Sequence, residues 1–255
     1  MATTMAQVRE RGTSRPRPTA ENSFYLAILA LLWASNLYGF GRASLAHFQP
    51  ERPDYPIIVH FHAMAFVAWA ALFTVQLVLV RRGTLHLHRQ LGAMLAGLAA
   101  IMLLVSPFAA VQTDLQKLAF PWFQPGFLFI QLGDLVLFGG LVGSALALRR
   151  RAVPHKRLMM LAMICLSTAG FGRWAYDLLS PVFGKSFGGE FLSANLPVLL
   201  LIGAMTLFDW RVRGRLPRAF VVAVPAIVAM QLFQTWAILS PGGNAAGRAI
   251  LNVFA

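Results

Sequence analysis

The residues of this chain that could do chemistry are its six histidines and a few charged groups set in otherwise apolar sequence. His60 and His62 stand near the start of PIIVHFHAMAFVAWAALFTVQLVLV, residues 56–80, and Gln76 stands near its end. A neutral imidazole can ligate haem iron or a transition metal, and a polar group inside a membrane usually faces the protein interior. Residues two apart on a helix point roughly 200° away from each other, so His60 and His62 share one metal only where the helix is irregular. His62 heads an aromatic stripe of Phe66, Trp69, Phe73 and Gln76, the expected inward side. His60 heads a smaller stripe of Met64, Val67, Ala71 and Thr74. Imidazoles this close to a helix start can equally bond loop carbonyls or water.

A second pair comes from a short repeat. HRQLGAML and HKRLMMLA each place a histidine (His88, His155) at a helix start, a basic residue next, and leucine three positions on. Two helices entering from one side with matched histidines could offer two axial ligands to a haem or two ligands to a metal. The alternative is interfacial, because both histidines are flanked by Arg or Lys where lipid phosphates meet helix N-termini. His47 belongs with the His60 level and His86 with the His88 level.

Asp134 is the costliest residue by position, since a carboxylate within the membrane must be neutral or paired. Counting depth along the helices pairs it with Arg173. Asp177, four residues past Arg173, can share the guanidinium, and Gln131, one turn from Asp134, can satisfy the remaining bonds. Such a cluster either fixes the fourth helix against the fifth or carries protons. Asp209 and Arg213, also four apart, read as a solvated pair at the membrane surface.

The elements that position these residues follow from composition. The chain is 58% hydrophobic and 12% charged, which a soluble domain of 255 residues could not bury. Seven apolar runs lie at about 23–46, 56–80, 89–111, 125–148, 157–180, 192–210 and 218–240. Pro225 is expected to kink the last of them. Small residues in the third run (Gly92, Ala93, Ala96, Gly97, Ala100) suit close helix packing. A net charge of +13 would suggest nucleic acid in a soluble chain, but here the basic residues fall between the runs. The N-terminal tail and the turns after the second, fourth and sixth runs hold 16 of the 22 Lys and Arg residues. By the positive-inside rule this predicts an all-α bundle of seven transmembrane helices in a bacterial inner membrane, N-terminus cytoplasmic and C-terminus periplasmic.

The expected organisation is a disordered basic tail over 1–22, a seven-helix domain over 23–240, and a short periplasmic tail over 241–255. Lone Cys165 excludes a disulfide framework, and no phosphate-binding loop, dinucleotide fingerprint or zinc-protease motif is present. Trp122, Trp174, Trp210 and Trp236 fall near run ends as interfacial anchors, whereas Trp33 and Trp69 lie deeper.

The set His60, His62, Trp69 and Gln76 in the second run, HRxLG at His88, Gly-Asp in the fourth run, HKRLM at His155 and an arginine in the fifth resembles a family of bacterial polytopic membrane proteins of unknown function. The HKRLM helix is also similar to small membrane proteins linked to haem-copper oxidase assembly. The resemblance implies the architecture and these residues, and assigns no reaction. Three expectations follow. The first is haem or a transition metal held through His60, His62, His88 and His155, with His60 and His62 as the metal pair, for redox chemistry or respiratory assembly. The second is a proton-coupled transporter with Asp134 as the titrating group. The third is a structural subunit whose partners are the bilayer and other membrane subunits, not nucleic acid.

Overall fold

A computed structural model describes residues 18–47 and 54–255, leaving aside the side chains of residues 18, 19, 46 and 47. Every element in this region is a helix: α1 (Pro18–His47), α2 (Ile57–Arg81), α3 (Leu85–Lys117), α4 (Phe127–Ala147), α5 (Ala152–Leu166), α6 (Thr168–Gly172), α7 (Ala175–Phe183), α8 (Phe187–Arg213), α9 (Arg218–Leu239) and α10 (Pro241–Asn252). Six of these, α1–α4, α8 and α9, are long and apolar enough to cross a membrane. The segment Ala152–Gly172 with Ala175–Phe183 makes a seventh if the pair, bent by 77°, is one span. The chain is thus a helical multi-pass membrane protein with six or seven spans among the described residues.

At the centre stands α5. Every residue from Arg157 to Leu166 is buried, so this helix shows no lipid-facing side. A helix apolar all round must be enclosed all round. Its neighbours α4, α8 and α9 supply Leu137, Phe138, Leu141, Val198, Ile202 and Ile227 to the same core. Trp69 from α2 meets Phe138 edge-on, with ring centres 5.0 Å apart.

The fifth run is not one helix, and the reason is local. Ser167 ends α5: its hydroxyl donates to the Met163 carbonyl (3.0 Å) and accepts from the Asn36 amide of α1 (2.9 Å). One turn on, Gly170 and Gly39 bring α6 and α1 together backbone to backbone. A Cβ on Gly39 would strike the Gly170 carbonyl, and one on Gly170 would strike Asn36. After Gly172 the chain turns into α7. Pro225, by contrast, lies inside an uninterrupted α9.

Other expectations are adjusted. α1 begins at Pro18, inside the stretch read as a tail, while residues 1–17 lie outside the described region. α3 continues through Thr113 and Asp114 to Lys117, beyond the expected end of the third run near residue 111. The C-terminal stretch contains α10, seated by Gly243 and Gly247 against the Ala237 and Pro125 carbonyls. A Cβ added at Gly92 or Gly97 would meet open space, so neither glycine is required there for a close helix approach.

Candidate functional site

α2 and α3 form an antiparallel hairpin closed by Arg82–Thr84, with Gly83 at φ +76°. The stripe headed by His62 is the inward one: Trp69, Phe73 and Gln76 are buried, while His60, Met64, Val67 and Ala71 are exposed. A shared metal at His60 and His62 is therefore not supported, because a regular helix sends the two rings to opposite sides. Among the described residues no three His, Cys, Asp or Glu side chains gather as a metal cluster. The side chain of His47 lies outside the described residues, and His86 is exposed.

At the turn end of the hairpin four helices, α2 to α5, meet around two rings. His88, in the first turn of α3, and His155, in the first turn of α5, lie with ring centres 6.5 Å apart and planes at 82°. His155 Nδ1 is 2.8 Å from the Ala145 carbonyl of α4. A carbonyl can only accept, so Nδ1 carries the hydrogen and the Nε2 lone pair of the neutral ring is available. This arrangement, one ring N–H held by a carbonyl, is the usual way a ligating histidine is oriented.

His88 is set differently, by Gln76. The buried Gln76 amide meets the His88 carbonyl (3.0 Å) and the Gly92 N–H (2.9 Å), two backbone groups whose roles are fixed. Its nitrogen must face the first and its oxygen the second. That nitrogen then also donates to His88 Nδ1. Neutral His88 consequently carries its hydrogen on Nε2, as a donor. The pair is asymmetric: His155 has the geometry of a ligand and His88 that of a hydrogen-bond donor. The donor set fits one-histidine ligation of a metal or haem, and does not fit two matched axial ligands while Gln76 holds His88.

Beside these rings lies a charged cluster that the sequence reading missed. Arg157, fully buried, donates from Nε to Asp209 Oδ2 (2.5 Å) and from Nη2 to Asp209 Oδ1, a bidentate pair. Nη2 also reaches Glu21 Oε1 (2.9 Å), and Nη1 reaches the Val153 carbonyl (3.2 Å). Lys156 lies 3.3 Å from Glu21, and Arg213 lies 3.4 Å from Asp209. The expected solvated Asp209–Arg213 pair is instead the edge of a buried network joining α1, α5 and α8. The reason is that Arg157 belongs to the enclosed helix and not to the basic turn before it.

The expected Asp134–Arg173 pair is not formed. Asp134 accepts from Gln234 Nε2 of α9 (2.9 Å), and that nitrogen also donates to the Ile130 carbonyl (3.0 Å). Arg173 lies at the bend after α6, where it donates to the Ala169 carbonyl (2.6 Å) and covers the Phe40 ring at 4.0 Å. Matching depth on two helices did not make them neighbours at that level. Asp177 contacts Arg42 at 3.4 Å, and Gln131 donates to buried Asp114 (2.7 Å), which Lys117 also reaches (3.2 Å). The sequence signal for Gln234 was the spacing Gln231, Gln234, Thr235 on one face of the last run.

At the far end of the hairpin, His62 Nδ1 and the Ser106 hydroxyl of α3 are 2.9 Å apart. Midway, Trp33 Nε1 donates to Thr74 Oγ1 (2.9 Å), which donates to the Ala70 carbonyl. No family model, no curated protein and no solved structure matches the chain.

Proposed function

We propose that this multi-pass protein resides in a bacterial inner membrane with its arginine-rich end in the cytoplasm. There it holds a haem or a transition metal at the His88–His155 pair, in redox chemistry or respiratory assembly alongside other membrane subunits. The observation that carries the reading is the His155 Nδ1 bond to the Ala145 carbonyl, which presents the Nε2 lone pair in a fixed direction. When bound, the group would supply one-electron chemistry. The chain's own contribution is orientation. Ala145 and α5 aim His155, and Gln76 holds the neighbouring His88 ring with its hydrogen on Nε2. The motif resemblance to bacterial polytopic membrane proteins and the distribution of basic residues support the location.

The test is an oxidised and reduced absorption spectrum of the detergent-purified protein, with elemental analysis of the same sample. A Soret band or stoichiometric metal that disappears in His155→Ala and persists in His60→Ala is the expected result. A colourless, metal-free protein after reconstitution with haem and with divalent transition metals would overturn the reading.

A second reading rests on Asp134, whose side-chain partner is the neutral Gln234. A carboxylate so placed can exchange a proton during transport. Under that reading Asp134→Asn folds normally and abolishes pH-driven flux in proteoliposomes, whereas unchanged flux removes it.

A further inference from the structure

The geometry points to a second, independent binding site at the end of the bundle opposite His88 and His155: a cleft that takes the zwitterionic headgroup of a phospholipid, a phosphate joined to a primary ammonium. The cleft has a volume of about 260 Å³ and is lined by Tyr38 and Arg42 of α1 and by Trp174, Asp177 and Leu178 at the bend and in α7. Its position is the first argument. Tyr38 and Arg42 occupy the last turns of the α1 span, and Trp174 stands where the chain bends by 77° into α7. That is the level of headgroups, where Trp, Tyr and Arg are favoured. Leu178, which lines it, is exposed and offers apolar surface to the attached acyl chains.

The charges are the second argument. Arg42 Nη2 and Asp177 Oδ2 are 3.4 Å apart with side chains 50% and 64% exposed, so each keeps most of its hydrogen-bonding capacity. The Arg157–Asp209 pair, at 0% and 1%, keeps none to spare. An open cation beside an open anion matches a phosphate beside an ammonium. A purely anionic headgroup would meet Asp177 unfavourably, and a purely cationic ligand would meet Arg42.

The rings are the third argument. Trp174 is anchored by its N–H to the Ser35 hydroxyl (3.0 Å) and meets Tyr38 edge-on, with centres 6.0 Å apart. The Arg42 guanidinium already lies over the Tyr38 ring, 6.0 Å from its centre, so the anchored Trp174 ring beside Asp177 is the aromatic surface left for an ammonium.

Native mass spectrometry of the full-length protein in detergent, titrated with short-chain phosphatidylethanolamine or phosphatidylglycerol, tests the site. Retention of phosphatidylethanolamine over phosphatidylglycerol is expected, falling about fivefold in Arg42→Gln and in Asp177→Asn. Equal retention of both lipids, or variants that retain phosphatidylethanolamine like wild type, would overturn it. Competition by soluble phosphoethanolamine at equal concentration would place the ligand in solution and also refute a lipid site. A readout free of charge variants is quenching by brominated phosphatidylethanolamine. Part of the quenched emission should be lost in Trp174→Phe while the share from the other exposed tryptophans remains, and quenching unaltered by that substitution contradicts the assignment.

Discussion

The two ends of the bundle handle their polar groups in opposite ways. At the arginine-rich end, Arg157, Asp209 and Glu21 close a buried network across α1, α5 and α8, and the Gln76 amide is matched by backbone groups on both sides. At the other end, the Arg42–Asp177 pair lies open, and Lys185, itself largely exposed, reaches Glu190 at 3.4 Å. A closed network fixes side-chain direction, which ligation or directed proton transfer needs; an open pair leaves charge free for a partner. On the function proposed above, ordered chemistry belongs at the first end and surface recognition at the second.

Substitutions should grade along this contrast. Arg157→Leu takes the buried central cation from Asp209 and Glu21, leaving them only the longer contacts to Arg213 and Lys156, and should destabilise the protein by about 3–5 kcal/mol, read as a lowered melting temperature in detergent. Gln76→Leu leaves the His88 carbonyl and Gly92 N–H without the amide and should cost about 1–3 kcal/mol in the same measurement. Ser106→Ala at the far end of the hairpin removes one hydrogen bond to His62, worth about 1 kcal/mol. Asp177→Asn should change stability by no more than about 0.5 kcal/mol, since the pair is exposed. If Asp177→Asn proves as damaging as Arg157→Leu, the contrast between the ends fails.

Much of the architecture was legible because hydropathy reports enclosure directly. The seven runs reappear as six long helices and the bent α5–α7 segment, and the His62 stripe faces inward as its aromatic spacing implied. What was not legible depends on which helices adjoin. Arg157 follows a run of basic residues and reads as part of a surface turn until α5 is seen enclosed by α4, α8 and α9. Asp134 finds Gln234 because α4 packs on α9, a fact no depth count contains. The asymmetry of His88 and His155 was equally hidden. The repeat made them look equivalent, and only their partners, Gln76 and the Ala145 carbonyl, tell them apart.

That asymmetry is the centre of the account, and the imidazole nitrogens report it directly. In ¹⁵N spectra of histidine-labelled protein at a pH where both rings are neutral, assigned with His88→Gln and His155→Gln, His88 should show its hydrogen on Nε2 and His155 on Nδ1. Gln76→Leu should release the His88 preference and leave His155 unchanged. Both rings in the same tautomer, or a His88 signal indifferent to Gln76, would contradict the assignment of ligand and donor roles.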